Sequence, residues 1–370
     1  MDFTFTDEQE TVRKVARQLF EHRATPEHLT ELESGETRFD ASLWAELASA
    51  DLLGIALPES VGGTGGGFLE LGVLLGEVGW SVAPAPIYPS LVLGADTIAR
   101  HGDSNMQKRY LPGVIDGSVI LTAALAEPRN SEPTIPSTAA RQDGDVWRLD
   151  GTKELVPAAQ LASTIVVSAR AEDRPGLFVV DTEADGVAIT PVATTNGEPY
   201  ADVELTGATS RRLTEKEGAD MIGSLYARAL VGLCAIQVGV VERALKLAAS
   251  YTSQREQFGR PIGSFQAVQQ RLADAFIDVE AIRWTTWHAA WLIAEGRPAN
   301  REARIAKFWA AEAGARVVAS AQQVHGGMGI DVTYPLSRYF LWSKQNELAL
   351  GSASHQLARL GNTYAEGTSR

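Results

Sequence analysis

The chain has one cysteine, Cys234, in 370 residues. That excludes an internal disulfide and any cysteine-based metal cluster. No stretch approaches the roughly 18 uninterrupted apolar residues of a membrane-crossing helix, so no transmembrane span is expected. The N-terminus, MDFTFTDEQE, places acids early and lacks an apolar segment, so no secretion signal is expected. Positive charge is in deficit. Lys and Arg total 33 against 46 Asp and Glu, for a net charge of −13, which disfavours nonspecific nucleic-acid binding. An anionic small ligand remains open, because it needs only a local basic or amide-lined site. The chain also lacks internal repeats and biased tracts. A reducing cytoplasm fits this inventory. What is present is an apolar fraction of 45%, enough to bury a large core.

Three kinds of patterning follow one another. Residues 1–118 read as helices. Thr6 is a candidate N-cap with Glu8, Gln9 and Glu10 in the first turn. Val12, Val15, Ala16 and Leu19 then recur at helical spacing, and Trp44, Leu47, Ala50 and Leu53 repeat the pattern. The Gly-rich run PESVGGTGGG, residues 58–67, could be taken for a phosphate cradle. No buried strand precedes it, so a helix-to-helix connection using glycine's positive φ is the better reading. Residues 119–213 carry short β-branched runs (VILTAAL, WRLDGTKELV, TIVVSAR, GLFVV, VAITPV, ADVEL) separated by Asp/Gly turns, the pattern of a β-barrel or sandwich. Residues 214–370 return to helical period, in one long apolar pattern from Ala227 and in amphipathic segments 264–295 and 301–326. Gly232 and Gly239 lie on nearly one face, where a neighbouring helix could come close. This last region reads as a four-helix bundle, and the whole as an α+β chain. No Glu-x-x-His pair stands on these helices, which sets aside a carboxylate-bridged di-iron site.

Helical domain, β-domain, helical bundle is an unusual order, and it resembles the acyl-CoA dehydrogenase family. LPESVGGTGGG resembles that family's first-domain loop, and AEPRNSEP (126–133) its TEP-x-x-GSD segment. REQFGRPIGSFQAVQQRLAD (255–274) is similar to its bundle motif. QVHGGMGI (323–330) is similar to its Gln-x-x-Gly-Gly-x-Gly motif, with Tyr334-Pro335 following. The resemblance implies removal of an acyl-CoA α-proton by a carboxylate and transfer of the β-hydrogen as hydride to FAD. It also implies a flavin that lies on the β-domain of its own subunit and reaches the bundle of a neighbour with its adenosine end.

That division sorts the residues. For a neighbour's flavin, the family pattern is complete: Arg255 suits pyrophosphate oxygens, Phe258 packs on an apolar or aromatic surface, Gln266 and Gln323 offer amides, and Gly326 and Gly327 let the backbone approach closely. The competing reading is a helix start and a helix–helix turn that merely need Arg and Gly. For the chain's own flavin, the pattern is broken. Ala126 replaces the Thr of TEP, although Glu127 and Pro128 remain, and the GSD is absent. Where the family has Trp-Ile-Thr after GTK, the run here is Glu154-Leu155-Val156-Pro157-Ala158, so an aromatic platform becomes Leu155 and a hydrogen-bonding Thr becomes Pro157, which lacks an N–H.

The base is missing as well. Counting from Tyr334-Pro335, the family's catalytic Glu falls on Leu350, with Gly351 keeping the register. The alternative family position, on the first bundle helix, falls near Ala229, where Tyr226, Arg228 and Leu230 include no carboxylate. A displaced base is the competing reading: Glu347, three residues before Leu350 and on the same face of a continuing helix, or more remotely Glu242. The chain resembles the shorter, degenerate subunit of actinobacterial α2β2 acyl-CoA dehydrogenases of steroid side-chain degradation, notably in MDFTFT, FWAAEAG, VHGGMG and RYFLWSKQNELALG. The resemblance implies a homologous catalytic partner subunit, FAD shared across the interface, an acyl-CoA held in the partner's site and an electron-transfer acceptor. The rival readings are a self-sufficient homo-oligomeric dehydrogenase using Glu347, and a flavin-free scaffold or acyl-CoA-binding protein.

Overall fold

The computed structural model describes residues 4–35, 37–130, 132–172, 174–214 and 218–367. Met1, Asp2 and Phe3 of MDFTFT and Ser131 of AEPRNSEP lie outside them. Helices come first: α1 (Asp7–Arg23), α2 (Pro26–Glu33), α3 (Ala41–Ser49), α4 (Phe68–Ser81), α5 (Asp96–His101) and α6 (Ser104–Ile115). Seven strands follow: β1 (Leu121–Ala124), β2 (Ala139–Asp143), β3 (Val146–Pro157), β4 (Thr164–Ala171), β5 (Arg174–Asp181), β6 (Val187–Val192) and β7 (Tyr200–Arg212). The long α7 (Ala219–Gln254), a hairpin of β8 (Glu256–Gln257) and β9 (Arg260–Pro261), and α8 (Gln266–Ala294), α9 (Asn300–His325), α10 (Leu336–Leu348) and α11 (Ala353–Gly367) complete the chain. By contacts it forms two compact units: Met1–Leu19, Glu27–Leu71 and Pro84–Ala229 in one, Phe20–Pro26, Gly72–Ala83 and Leu230–Arg370 in the other.

In the first unit the helix starts are built by side chains. Thr6 and Gln9 form a reciprocal capping box, Gln9 N–H to Thr6 Oγ1 at 3.2 Å and Thr6 N–H to Gln9 Oε1 at 3.1 Å. Asp40 caps α3 by accepting from the N–H groups of Ser42 and Leu43, a device worth about 1 kcal/mol. The expected periodicity through Ala50 and Leu53 stops early: α3 ends at Ser49, and Asp51 turns left-handed at φ 58°. The Gly-rich run is a connection into α4. Gly62 and Gly65 take positive φ, and a Cβ at Gly63 or Gly66 would strike the carbonyl oxygens of Leu57 and Ile55.

The strands make one sheet that closes on itself. β4 pairs with β1 and β2 in parallel and with β5 antiparallel, and β2–β3–β7–β5 completes the ring, with β6 added on β7. Alternate residues such as Leu149, Ile165, Val167, Phe178, Val180, Val203 and Leu205 fill the interior. Each such side chain contributes about 1.5–3 kcal/mol by leaving water. β2, sequence AARQD, escaped the sequence reading because four of its five residues are exposed.

The second unit is organised by α7. The apolar part of α7 is long enough to cross a membrane by length and composition, yet 94% of that window is buried inside the protein. Close approach to α4 comes through glycine on both sides: a Cβ at Gly79 would meet Ile236 O at 1.9 Å, and one at Gly239 would meet Gly76 O at 1.9 Å. Buried polar groups of α7, α9 and α10 bond one another within this core. Gln237 donates to Ser343 Oγ at 2.7 Å and accepts from Asn346 Nδ2 at 3.0 Å. Fully buried Lys307 donates to the carbonyls of Asn346 and Glu347 at 2.7 and 3.1 Å, closing the end of α10.

Candidate functional site

The segment that resembles an own-flavin cradle lies on β3 and the β1–β2 connection. Its retained acid is structural. The Glu127 carboxylate accepts from Lys153 Nζ at 2.8 Å, from Thr138 N–H and Oγ1, and from Ser137 N–H. Burial alone would raise this carboxyl, but Lys153 and the Thr138 and Ser137 donors hold it down at about 2. Lys153, wholly buried, also donates to Ser168 Oγ at 2.9 Å. The parts of the motif that match the family pattern therefore pin the β1–β2 connection to the sheet.

What stands beside this pair offers a flavin little. Leu155 bulges out of β3 at φ 50° and is half exposed, with its N–H committed to Asp202 Oδ1 at 2.9 Å. Pro157 has no N–H, and its carbonyl already accepts from Thr122 Oγ1 at 2.6 Å. Ala158 also sits at positive φ, 54°, and its N–H bonds Pro199 O at 2.7 Å. This segment presents an aliphatic side chain and backbone groups already bonded within the fold.

The residues expected to serve a neighbour's flavin form two groups. Arg255 follows the last residue of α7, with its N–H on Tyr251 O at 2.8 Å and its carbonyl accepting from Ile262 N–H at 2.8 Å. The hairpin that follows turns through Phe258 at φ 55° and Gly259 at φ 77°, two successive left-handed residues as in a tight primed hairpin turn. Phe258 is 92% exposed. Its only ring neighbour among the described residues is Phe265, edge-on at 6.1 Å, and Arg260 lies 4.2 Å over the Phe265 ring. Gln266, exposed, opens α8. The second group closes α9: Gln323 is exposed on its last turn, and Gly326 and Gly327 follow at the surface.

The two groups meet through rings: His325 stacks on Tyr251 at 4.3 Å. No salt bridge among the described residues holds the Arg255 guanidinium, and no side-chain hydrogen bond among them holds the amides of Gln266 and Gln323.

The glycines separate the competing explanations. Gly326 is at φ 61°, ψ −132°, a conformation that favours glycine, and a Cβ on Gly329 would hit Gln322 O at 2.6 Å. Those two are explained by the turn itself. Gly327 is not: a Cβ there meets nothing within 4 Å, and its φ lies outside the left-handed range. No contact among the described residues within 4 Å requires glycine at 327.

The base positions resolve into ordinary contacts. α10 ends at Leu348, and Leu350 lies beyond it at φ 55°, so the shared helix face expected for Glu347 and Leu350 does not form. Lys344 ion-pairs with the Glu347 carboxylate, and Arg283 holds Glu242 at 2.8 Å. Arg228, beside Ala229, pairs with Asp96 at 3.3 Å and lies over the Phe68 ring at 5.1 Å. Sequence reasoning missed Tyr251, His325 and Lys307. A lysine inside the Ala-rich face of α9 was a signal for the last. Neither ring carried one.

Comparison with known proteins gives a consistent picture. Residues 6–118, 122–219 and 217–364 match the N-terminal, middle and C-terminal domain descriptions of acyl-CoA dehydrogenase. Acyl-CoA dehydrogenase FadE27 of Mycobacterium tuberculosis is 40% identical over 374 residues, covering 99% of each chain. Among solved structures, a variant of the Tcur3481-Tcur3483 steroid ACAD is 44% identical with a TM-score of 0.94, covering 98% of this chain and 99% of that one. The ChsE4-ChsE5 complex from Mycobacterium tuberculosis is 41% identical with a TM-score of 0.94, covering 99% of each.

Proposed function

The chain belongs to the acyl-CoA dehydrogenase family, and from that premise we propose that it is the non-catalytic subunit of a heteromeric FAD-dependent acyl-CoA dehydrogenase. In this reading a homologous partner, in an α2β2 assembly, supplies the flavin cradle, the acyl-CoA site and the base. This chain supplies the clamp on the adenosine end. Proteins of this family bind FAD, and the two closely similar structures are named as pairs.

The observation that carries the proposal is the contrast within one chain. Arg255, Phe258, Gln266, Gln323, Gly326 and Gly327 are exposed, and among the described residues no side-chain hydrogen bond or salt bridge holds Arg255, Gln266 or Gln323, as a surface completed by a neighbour should be. The Leu155–Pro157 segment is committed to its own fold, and Leu350 cannot titrate. Bound FAD supplies the hydride acceptor. This chain's work is to neutralise the pyrophosphate with Arg255, pack against the adenine with Phe258 and bring backbone amides close at Gly326 and Gly327. A steroid side-chain CoA ester is the proposed substrate class, since one similar structure is a steroid enzyme, and the cytoplasm is the proposed location. Electrons would pass on to a separate transfer protein.

The test is co-expression with a homologous dehydrogenase that carries the family's glutamate, followed by flavin quantitation. One FAD per two subunits is expected in the complex, and little or none in this chain alone. Near-stoichiometric FAD in a pure homo-oligomer would sink the proposal.

A further inference from the structure

The two halves of the clamp come from distant parts of the chain, and one buried ring joins them. His325 sits between Gln323 and Gly326, is 3% exposed, and stacks on Tyr251 with ring centroids 4.3 Å apart and planes 24° apart. Tyr251 lies one helical turn before Arg255, whose N–H it accepts. The histidine's hydrogen bonds define its state. Nδ1 lies 2.7 Å from the carbonyl oxygen of Ala321, which can only accept, so Nδ1 carries the proton. Nε2 lies 3.2 Å from the Tyr334 hydroxyl, and on a neutral ring it accepts from that phenol. The Tyr334 ring is tilted against the histidine with centroids 5.2 Å apart. Burial favours this neutral form by holding the ring below the ordinary histidine range, against the pull of the Ala321 carbonyl.

We infer that His325 is a positioning residue of the nucleotide clamp, a neutral imidazole that fixes the Gln323–Gly327 turn against the Arg255 end of α7 through Tyr251, with its ring plane set by Ala321 and Tyr334. The inference rests on the proposed role of this chain and adds the device that aligns its two halves. Without it, the guanidinium and the glycine amides would each be present but would not share one geometry. Misplacement of that kind weakens ligand binding with little effect on the fold, because preorganisation is lost and not a core contact.

The test uses the co-expressed heteromer, with FAD affinity measured by fluorescence titration and the melting midpoint measured on the FAD-free complex. His325→Phe keeps the ring over Tyr251 and removes both hydrogen bonds. Tyr334→Phe removes only the phenol. We expect His325→Phe to weaken FAD binding about five- to tenfold and Tyr334→Phe about two- to fivefold, the range for neutral hydrogen bonds. The double variant should be no weaker than His325→Phe, because both changes cut the same bond. The FAD-free melting midpoint should stay near that of the wild type. Additive losses in the double variant, or a midpoint that falls in step with affinity, would overturn the inference in favour of a purely structural histidine. Arg255→Ala serves as the control. If it weakens FAD binding while His325→Phe does not, this inference fails alone; if neither does, the role proposed for the chain fails.

Discussion

Two surfaces of this chain resemble flavin-binding motifs, and they have opposite physical characters. On the β3 surface the Leu155 and Ala158 N–H groups and the Pro157 carbonyl are already bonded within the chain's own fold. The Glu127–Lys153 pair, buried and surrounded by donors, serves to hold a loop. On the proposed clamp surface Arg255, Gln266 and Gln323 are exposed and make no side-chain hydrogen bond or salt bridge among the described residues, a bulky Phe258 is held in a left-handed turn at the tip of a hairpin, and a Cβ at Gly327 would meet nothing within 4 Å. A motif that satisfies itself is a piece of structure; one that leaves its groups unsatisfied at the surface awaits something else. Resemblance in letters does not separate the two cases, and hydrogen-bond accounting does.

The largest expected effect is the cofactor count proposed above, all or nothing between the lone chain and the heteromer. Next is Glu127→Gln, which leaves Lys153 buried without a counter-charge. Breaking a buried pair from one side costs about 3–5 kcal/mol, measurable by denaturant unfolding. The linked pH effect has a definite sign. The Glu127 carboxyl is held at about 2 in the fold against an ordinary 4.5, so its contribution is complete above the ordinary value and is lost as pH falls towards 2. A Glu127→Gln variant should therefore show a flatter loss of stability on acidification than the wild type; an unchanged acid limb would mean that the pair is not what holds the loop.

Smaller, and on the other surface, is Arg255→Ala. Loss of one charge-assisted contact costs about 1.5–3 kcal/mol, so FAD affinity in the heteromer should fall by more than tenfold while the lone chain's melting point hardly changes. Gly327→Ala sharpens the contrast further. Its Cβ meets no atom of this chain, so the lone chain should be unchanged or gain up to about 1 kcal/mol, while FAD binding by the heteromer weakens. A stabilised chain with unweakened FAD binding would return Gly327 to the status of an ordinary turn residue.

The smallest expected effect is a deliberate null. Glu347→Gln should leave heteromer turnover within a few-fold of wild type, because its carboxylate is tied to Lys344. A loss of about 10²–10⁴-fold, the usual worth of a general base, would make Glu347 the base after all. In parallel, Leu350→Glu in the lone chain should create no activity, since a carboxylate there would have no hydride acceptor beside it.

Much of this was legible in residue order. Helical period, strand alternation and the return of helical period placed the three regions, and capping at Thr6 was visible as Thr followed by acids and Gln9. The residue at position 350 was legible outright, and no conformation lets a leucine accept a proton. The strand AARQD was not, because four exposed residues out of five carry no apolar alternation to detect. The shared face of Glu347 and Leu350 was misread because periodicity assumed a helix continuing past Leu348, whereas Lys307 caps the last carbonyls and the chain turns left-handed at Leu350.

What the sequence by itself determined is therefore what depends on residue identity and on short-range period: the order of domains, the leucine at position 350, the acidic net charge and the run of residues that resembles the family's bundle motifs. Which groups are spent and which are free was decided only by the tertiary structure. Glu127 finds Lys153 across 26 positions and His325 finds Tyr251 and Tyr334 from three separate elements. No local preference encodes such meetings. They arise when closure of the sheet and packing of the helices bring remote polar groups into spaces without water, where each must find a partner.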